Sequence, residues 1–404
     1  MKPFVPLFAA LALAFAAQSD ALAFAKESTT QSRAHAAHAK AKSKTAKPTK
    51  GAKARPAKGK KVAAKAKPAK VLPAAAAAAV IDYDGEHMNF LEWGSVQTFI
   101  DEMVTQRGFQ RAELEALFGK VRFVDSAVQL VKPAPPGKPK NWQAYSERFI
   151  EPIRINAGVR FWNENAEALA RAEAAYGVPA EIIVGIIGVE TIYGRDTGRF
   201  RVVDTLATLA FAYPETPNQE SRKAFFRSEL ANTLTLARER GTDPLDLLGS
   251  FAGAVGMPQF MPGNILKYGV DFDSDGRIDL RGSPADAIGS VANFLVQHGW
   301  NAEHRGPAVF AADVSPNRGW EELLGRGLAA TLRPEELQAA GVMLNTALPS
   351  GRLYGLVDLQ NGAEPTEYWV ANDNFFAITK YNRSYFYAMS VIELGRAVRL
   401  SRSS

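Results

Sequence analysis

The chain has 404 residues, 47% of them hydrophobic, which is enough to fill a sizeable core. It has no cysteine, which excludes disulfides, thiolate metal sites, a cysteine nucleophile and a lipid-bearing cysteine. The net charge of +6 suggests an anionic partner until it is located: residues 26–70 carry 15 basic side chains against Glu27, and everything after residue 70 sums to −8.

The first predicted element is a leader. Lys2 precedes an uncharged, mostly apolar stretch from Phe4 to Ala17, and Ala21-Leu22-Ala23 fits an A-x-A cleavage site, so residues 1–23 read as a signal peptide. A buried N-terminal helix is the competing reading. The stretch is shorter than the roughly 20 residues of a membrane span. No later run reaches that length, and even Ile182 to Val189 stops at a glutamate. The expected mature protein is exported to the periplasm, soluble, and without a membrane span or lipid anchor.

Residues 24–80 are expected to be a disordered linker. From 26 to 79 they are almost entirely Ala, Lys, Pro, Ser, Thr and Gly, with no aromatic residue. Such a composition cannot bury enough surface to offset its ordering entropy. It resembles a linker-histone tail, and in a cytoplasmic protein it would imply nucleic-acid binding by counterion release. With an export signal no nucleic acid is expected. The expected partner is an anionic envelope polymer, or none.

Folded character begins near Ile81. A helix is predicted over 95–118, with Val96, Phe99, Ile100, Met103 and Val104 as its apolar stripe, interrupted at Gly108 and resuming from Ala112 to Phe118. Lys132 to Gly137 is a proline-rich break. One long helix is predicted over 155–176, with Phe161, Trp162, Leu169 and Tyr176 on its apolar side, stopped by Gly177. Pro179 then opens a helix whose Ile182, Ile183, Val184, Ile186, Ile187 and Val189 are apolar all round, the pattern of a buried helix. More helices are predicted over 204–213, 220–239, 284–298 and 384–399. Residues 306–372 mix Gly, Pro and short alternating runs such as Tyr368-Trp369-Val370, which suggests a strand-containing module.

Glu190 is the charge in the wrong place. It ends the fully apolar helix, where burial and the carbonyl end of the helix both disfavour a carboxylate. Both raise its pKa, as a general acid at neutral pH requires. The competing reading pairs Glu190 with an arginine such as Arg195 or Arg199. The five histidines show no metal spacing, and neither G-x-S-x-G nor a phosphate-binding G-x-x-x-x-G-K occurs.

Four blocks are specific enough to compare with a family. Tyr176 to Gly194, Gly249 to Pro262 (GSFAGAVGMPQFMP), Asp286 to Asn293 (DAIGSVAN) and Ile378 to Ser384 (ITKYNRS) follow one another in order. Together they resemble the lytic murein transglycosylase B family over about residues 88–400. The resemblance implies an α+β, mainly α fold: a lysozyme-like core with a helical domain and a small β-containing domain. On this chain the helical domain would cover 81–150 with part of 205–245, the core 151–304 and 373–404, and the β-containing module 305–372. It implies cleavage of the MurNAc-β-1,4-GlcNAc bond of peptidoglycan glycan strands to 1,6-anhydroMurNAc ends, with Glu190 as acid and then base. One carboxylate suffices because the sugar supplies its own nucleophile, whereas an ordinary glycosidase needs two. By motif, Tyr145, Ser250, Gln259, Asn293, Tyr381, Asn382 and Tyr387 would contact substrate. Phe294 departs from the family's usual tyrosine, which removes a hydroxyl. Two alternatives stay open: a non-catalytic peptidoglycan-binding scaffold of the same fold, and a polyanion binder working through the basic tail.

Asp271, Asp273, Asp275 and Asp279 fall at positions 1, 3, 5 and 9 of an EF-hand loop, with Gly276 at position 6 and the Arg277 carbonyl at position 7. Position 12 is Gly282 in place of a bidentate glutamate. The family's longer EF-hand-like loop makes Asp286 the closing ligand, so a structural Ca²⁺ is expected over 271–286. The competing reading is an acidic turn capping the helix that begins near Pro284.

Overall fold

The computed structural model describes residues 89–133 and 139–403, so the expected leader and basic linker lie outside the described residues. The helices are α1 (Gly94–Arg107), α2 (Arg111–Phe118), α3 (Asp125–Leu130), α4 (Trp142–Ser146), α5 (Pro152–Glu164), α6 (Ala166–Tyr176) and α7 (Ala180–Thr191). They continue as α8 (Val202–Ala212), α9 (Gln219–Arg240), α10 (Pro262–Tyr268), α11 (Pro284–Gln297), α12 (Pro334–Ala339), α13 (Asp373–Ile378) and α14 (Tyr385–Arg402). Two short strands, β1 (Phe200–Arg201) and β2 (Leu248–Gly249), pair antiparallel. The remaining strands, β3 (Val309–Val314), β4 (Val342–Leu344), β5 (Gly355–Asn361) and β6 (Glu364–Ala371), form one antiparallel sheet in the order β4-β3-β6-β5. No single helix among the described residues is long and apolar enough to cross a membrane.

The stripe predicted for α1 is the buried one, with Val96, Phe99, Ile100 and Met103 inward, and Gly108 closes the helix in the left-handed region at φ 67°. Phe99, Phe118 and Phe211 meet edge to face at centroid separations of 5.9–6.5 Å, joining α1 and α2 to the buried α8.

The single helix expected over 155–176 is two. It starts earlier, with Pro152 in its first turn, and breaks at Asn165 (φ −117°, ψ 25°). The Asn165 side chain donates to the Phe161 carbonyl at 2.8 Å, so a local amide competes with the helix ladder. Pro179 sits one position outside α7, as its N-cap.

α7 is buried from Ile182 through Thr191 and crosses α14 at two glycines. A Cβ on Gly185 would lie 2.2 Å from the Val391 carbonyl oxygen, and one on Gly395 2.1 Å from that of Glu181. Backbone touches backbone there, which only glycine permits. The sheet has its own core of Trp320, Leu332, Tyr354, Leu356 and Val370. Its β5–β6 hairpin reaches α4: the Gly362 amide donates to the Lys140 carbonyl (2.8 Å), and Asn361 Oδ1 accepts from the Gln143 amide (3.0 Å).

Candidate active site

Glu190 lies in the last turn of α7 with 9% of its surface exposed. Its Oε1 accepts a 2.6 Å hydrogen bond from the Tyr387 hydroxyl in the first turn of α14. Burial raises the carboxyl to about 7, against the opposing pull of the Tyr387 hydrogen bond and the Arg154 charge. Tyr387 and Tyr381 are near-parallel at 6.3 Å, and the Tyr381 hydroxyl donates to the Pro258 carbonyl at 2.6 Å. Burial and the Glu190 charge hold the Tyr381, Tyr387 and Tyr145 phenols above their ordinary pKa, so all three stay neutral donors. Tyr145 stands on α4 among Trp142, Phe149 and Phe386. The sheet hairpin that clamps α4 thereby fixes one wall of the site.

The loop between β2 and α10 is fastened to the same place. Thr191, next to Glu190, donates to the Met257 carbonyl at 2.9 Å and accepts from the Gly194 amide at 3.0 Å. With the Tyr381 bond to Pro258, two neighbours of Glu190 grip the loop immediately before Gln259. Gln259 takes a left-handed backbone (φ 51°), a cost of order 1 kcal/mol for a residue with a Cβ. Its side-chain amide donates to the Gly256 carbonyl at 3.0 Å. Ser250 Oγ accepts from the Ala254 amide at 3.0 Å and shapes the same loop.

Other predicted positions face inward. The half-buried Asn293 donates to the Tyr268 carbonyl at 3.0 Å, and Asn382 is 3% exposed. Phe294 is packed in an aromatic cluster, stacked on His298 (3.9 Å) and edge to face with Tyr381 (4.8 Å).

The arginine pairing considered for Glu190 is corrected. Arg195 and Arg199 are exposed, and the cation acting on Glu190 is Arg154 of α5, which is 4% exposed. Its Nη1 donates to the carbonyls of Gly188 (3.3 Å) and Val189 (3.4 Å), and its guanidinium lies 5.1 Å from the Phe149 ring. Sequence reasoning missed it. The signal was present: Arg154, Gly158, Phe161 and Trp162 share the buried face of α5 at helical spacing. Tyr193 was also missed. With Ile192 it adopts a left-handed backbone (φ 58° and 51°). Its hydroxyl fills the slot left by two glycines, since a Cβ on Gly158 or Gly188 would come within 2.4 Å of it.

Three other buried carboxylates are also raised by burial, but each is bound to backbone amides. Asp204 accepts from the Arg122 amide (3.1 Å), Glu229 from that of Gly263 (2.7 Å), and Asp286 from those of Phe272 and Asp279 (both 2.7 Å). Glu190 alone among these four holds a side-chain hydroxyl inside a ring of tyrosines.

In the acidic loop, carboxylate oxygens of Asp271, Asp273 and Asp286 lie within 4.8 Å of one another. Asp275 turns its Oδ1 to the Arg277 amide (2.8 Å), and Asp279 braces the Arg281 and Gly282 amides (2.9 and 2.8 Å). Gly276 (φ 88°) and Ser274 (φ 63°) make the tight turn. The donor set is all oxygen and anionic, which fits a hard divalent cation.

Comparison with known proteins identifies the family. The transglycosylase SLT domain matches residues 92–396. The membrane-bound lytic murein transglycosylase B of Escherichia coli (strain K12) is 42% identical over 317 residues, covering 76% of this chain and 83% of that protein. The crystal structure of the soluble lytic transglycosylase SltB1 from Pseudomonas aeruginosa superposes with a TM-score of 0.70 at 44% identity, over 77% of this chain and 100% of that one. The Escherichia coli lytic transglycosylase Slt35 in complex with calcium superposes with a TM-score of 0.69 at 40% identity, over 78% and 96% of the two chains. The chain therefore belongs to the transglycosylase SLT domain family and is a lytic transglycosylase that cleaves peptidoglycan.

Proposed function

We propose that Glu190 is the single acid and base of this reaction. The observation that carries the reading is a buried carboxyl poised at about 7, hydrogen-bonded to Tyr387, with no second carboxylate among the described groups that shift it. As the acid, Glu190 gives its proton to the glycosidic oxygen while the bond from that oxygen to C1 of MurNAc breaks. As the carboxylate, it takes the proton of the C6 hydroxyl while that oxygen bonds to C1. The proton count returns to its start and no water is consumed, so the product is a 1,6-anhydroMurNAc end. A pKa near the working pH suits both halves.

Of the predicted substrate-side residues, the half-buried Tyr145, Ser250 and Gln259 are the proposed contacts, while Asn293, Tyr381, Asn382 and Tyr387 would hold the site from behind. Asp271, Asp273 and Asp286, with Asp275 and the Arg277 carbonyl, would hold a Ca²⁺. The ion would supply stability and no chemistry. The proposed location is the periplasm, reached by the leader of residues 1–23, with residues 24–80 a tether towards anionic envelope polymers.

Purified peptidoglycan digested with wild type and Glu190→Gln, with fragments read by mass spectrometry, tests the mechanism. Anhydro ends are expected from wild type, with a loss of at least about 10³-fold in the variant. Reducing ends from wild type would make the enzyme a hydrolase. Full activity in Glu190→Gln would remove that residue from the chemistry. Binding without release of fragments by wild type would favour the scaffold reading.

A further inference from the structure

We propose that Arg154 is a positioning residue for Glu190: its buried guanidinium, clamped to the last carbonyls of α7, is the countercharge that lets Glu190 exist as a carboxylate between its two proton transfers. The inference rests on Glu190 as acid and base, and it adds what makes the second half of that cycle possible.

The difficulty is electrostatic. Once Glu190 has given up its proton it is an anion, buried and at the carbonyl end of a helix. Desolvation and the helix dipole both act against it. Tyr387 relieves this through one hydrogen bond. A neutral donor does not cancel the carbonyl field, whereas a cation placed on those carbonyls does.

Arg154 occupies that place. It donates to the Gly188 and Val189 carbonyls, the two residues before Glu190, and is 4% exposed. Its own burial and orientation are built in. Glu151 at the α5 N-cap accepts from the Ile153 and Arg154 amides (both 2.7 Å), and the Phe149 ring faces the guanidinium.

The other groups facing Glu190 carry no positive charge. α14 contributes Tyr387, the segment before it Tyr381, and α4 Tyr145, itself near Arg148. Tyr193, beyond the end of α7, faces Arg154, as does Glu151. Arg154 is the cation acting on Glu190 among the described residues.

The two ends of this pair can be read separately from catalysis. In wild type, ¹³C resonances of Glu190, assigned by difference against Glu190→Gln, give its titration midpoint. R154Q keeps an amide that can donate to the α7 carbonyls but removes the charge. It is expected to raise the midpoint by about one unit or more and to carry the alkaline limb of the pH–rate profile upward with it. Its maximal anhydro-product rate is expected to fall about 10- to 100-fold. R154K, which keeps charge and donor, is expected to restore most of both.

An R154Q midpoint equal to that of wild type overturns the proposal. So does equal loss of rate in R154Q and R154K with unmoved midpoints, which would leave Arg154 a structural clamp. If R154Q does not fold, wild type decides: the Arg154 guanidinium ¹⁵N resonances, assigned against R154K, should follow the Glu190 midpoint and stop titrating in Glu190→Gln. Guanidinium resonances that ignore the Glu190 titration overturn the inference. Failure of the catalytic reading would look different, with Glu190→Gln active while the coupling between the two resonances persists.

Discussion

At Glu190 burial and hydrogen bonding pull the carboxyl in opposite directions, and burial wins, leaving it at about 7 against an ordinary 4.5. A carboxyl raised in the folded state keeps a proton that the unfolded chain releases, so it weakens the fold as pH climbs from about 4.5 towards 7. At pH 8 that cost is on the order of 3 kcal/mol. Glu190→Gln should therefore raise Tm at pH 8 by something like 5 °C and leave it nearly unchanged at pH 4, as followed by calorimetry at both values. An equal gain at the two pH values would mean that the new side chain, not the lost ionisation, does the stabilising. Glu190 was legible in the sequence because a charge ends an otherwise apolar run, a local contradiction visible without neighbours. Arg154 was not. It lies one turn into a helix after Pro152, where an arginine reads as solvated. Only the packing of α5 against α7 turns its stripe of Arg154, Gly158 and Phe161 inward.

Between elements, the distance from Glu190 to Tyr387 is set by how closely α7 and α14 approach. The contact glycines decide it, because Gly185 and Gly395 each meet a carbonyl oxygen of the opposite helix. Gly395→Ala would force a Cβ against the Glu181 carbonyl, a backbone atom that cannot swing aside. The variant should lose about 2–3 kcal/mol in urea unfolding. A protein stable by about 5–15 kcal/mol stays almost wholly folded after such a loss, so a fall in the rate of anhydro-product release beyond about twofold would report the Tyr387 hydroxyl drawn away from Glu190. Gly94→Ala, at an open position with nothing within 4 Å, is the control and should be near neutral or stabilising. A stable, active Gly395→Ala would mean that the helix crossing does not position the pair. The α7 pattern gave its burial to the sequence reader, but not its partner. The α5–α6 break was hidden because Asn165 ends α5 through its own side-chain bond to Phe161, and the apolar spacing runs on across it. Short helices such as α4 and α13 carry too few turns for periodicity to register.

Across the whole molecule, charge is distributed so that the body carries −8 while +14 sits in residues 26–70, outside the described residues. Part of that negative charge is concentrated where Asp271, Asp273 and Asp286 converge. The loop is not a surface ornament. Phe272 lies under Arg171 of α6 at 4.3 Å, faces Tyr176 at 6.2 Å and fills the space above Gly289 of α11. Asp286 holds the Phe272 and Asp279 amides. Three carboxylates so close repel one another unless a cation intervenes, and the cost falls on the joint between α6 and α11, far along the chain from one another. A micromolar calcium site in millimolar calcium would stabilise the fold by about 4 kcal/mol. Chelation should then lower Tm by on the order of 10 °C, and Asp271→Asn should remove most of the difference between calcium and chelator. The loop meets the residues grouped around Glu190 at Met257, whose amide donates to the Leu280 carbonyl (2.7 Å). That backbone bond involves none of the three converging carboxylates, so the cleavage rate at 25 °C should stay within about twofold on chelation, as long as the protein remains folded. A chelator-insensitive Tm with no calcium heat in titration calorimetry would leave the Asp286 brace as the whole function of the loop. A rate that collapses while Tm holds would mean instead that the joint it secures reaches the active site.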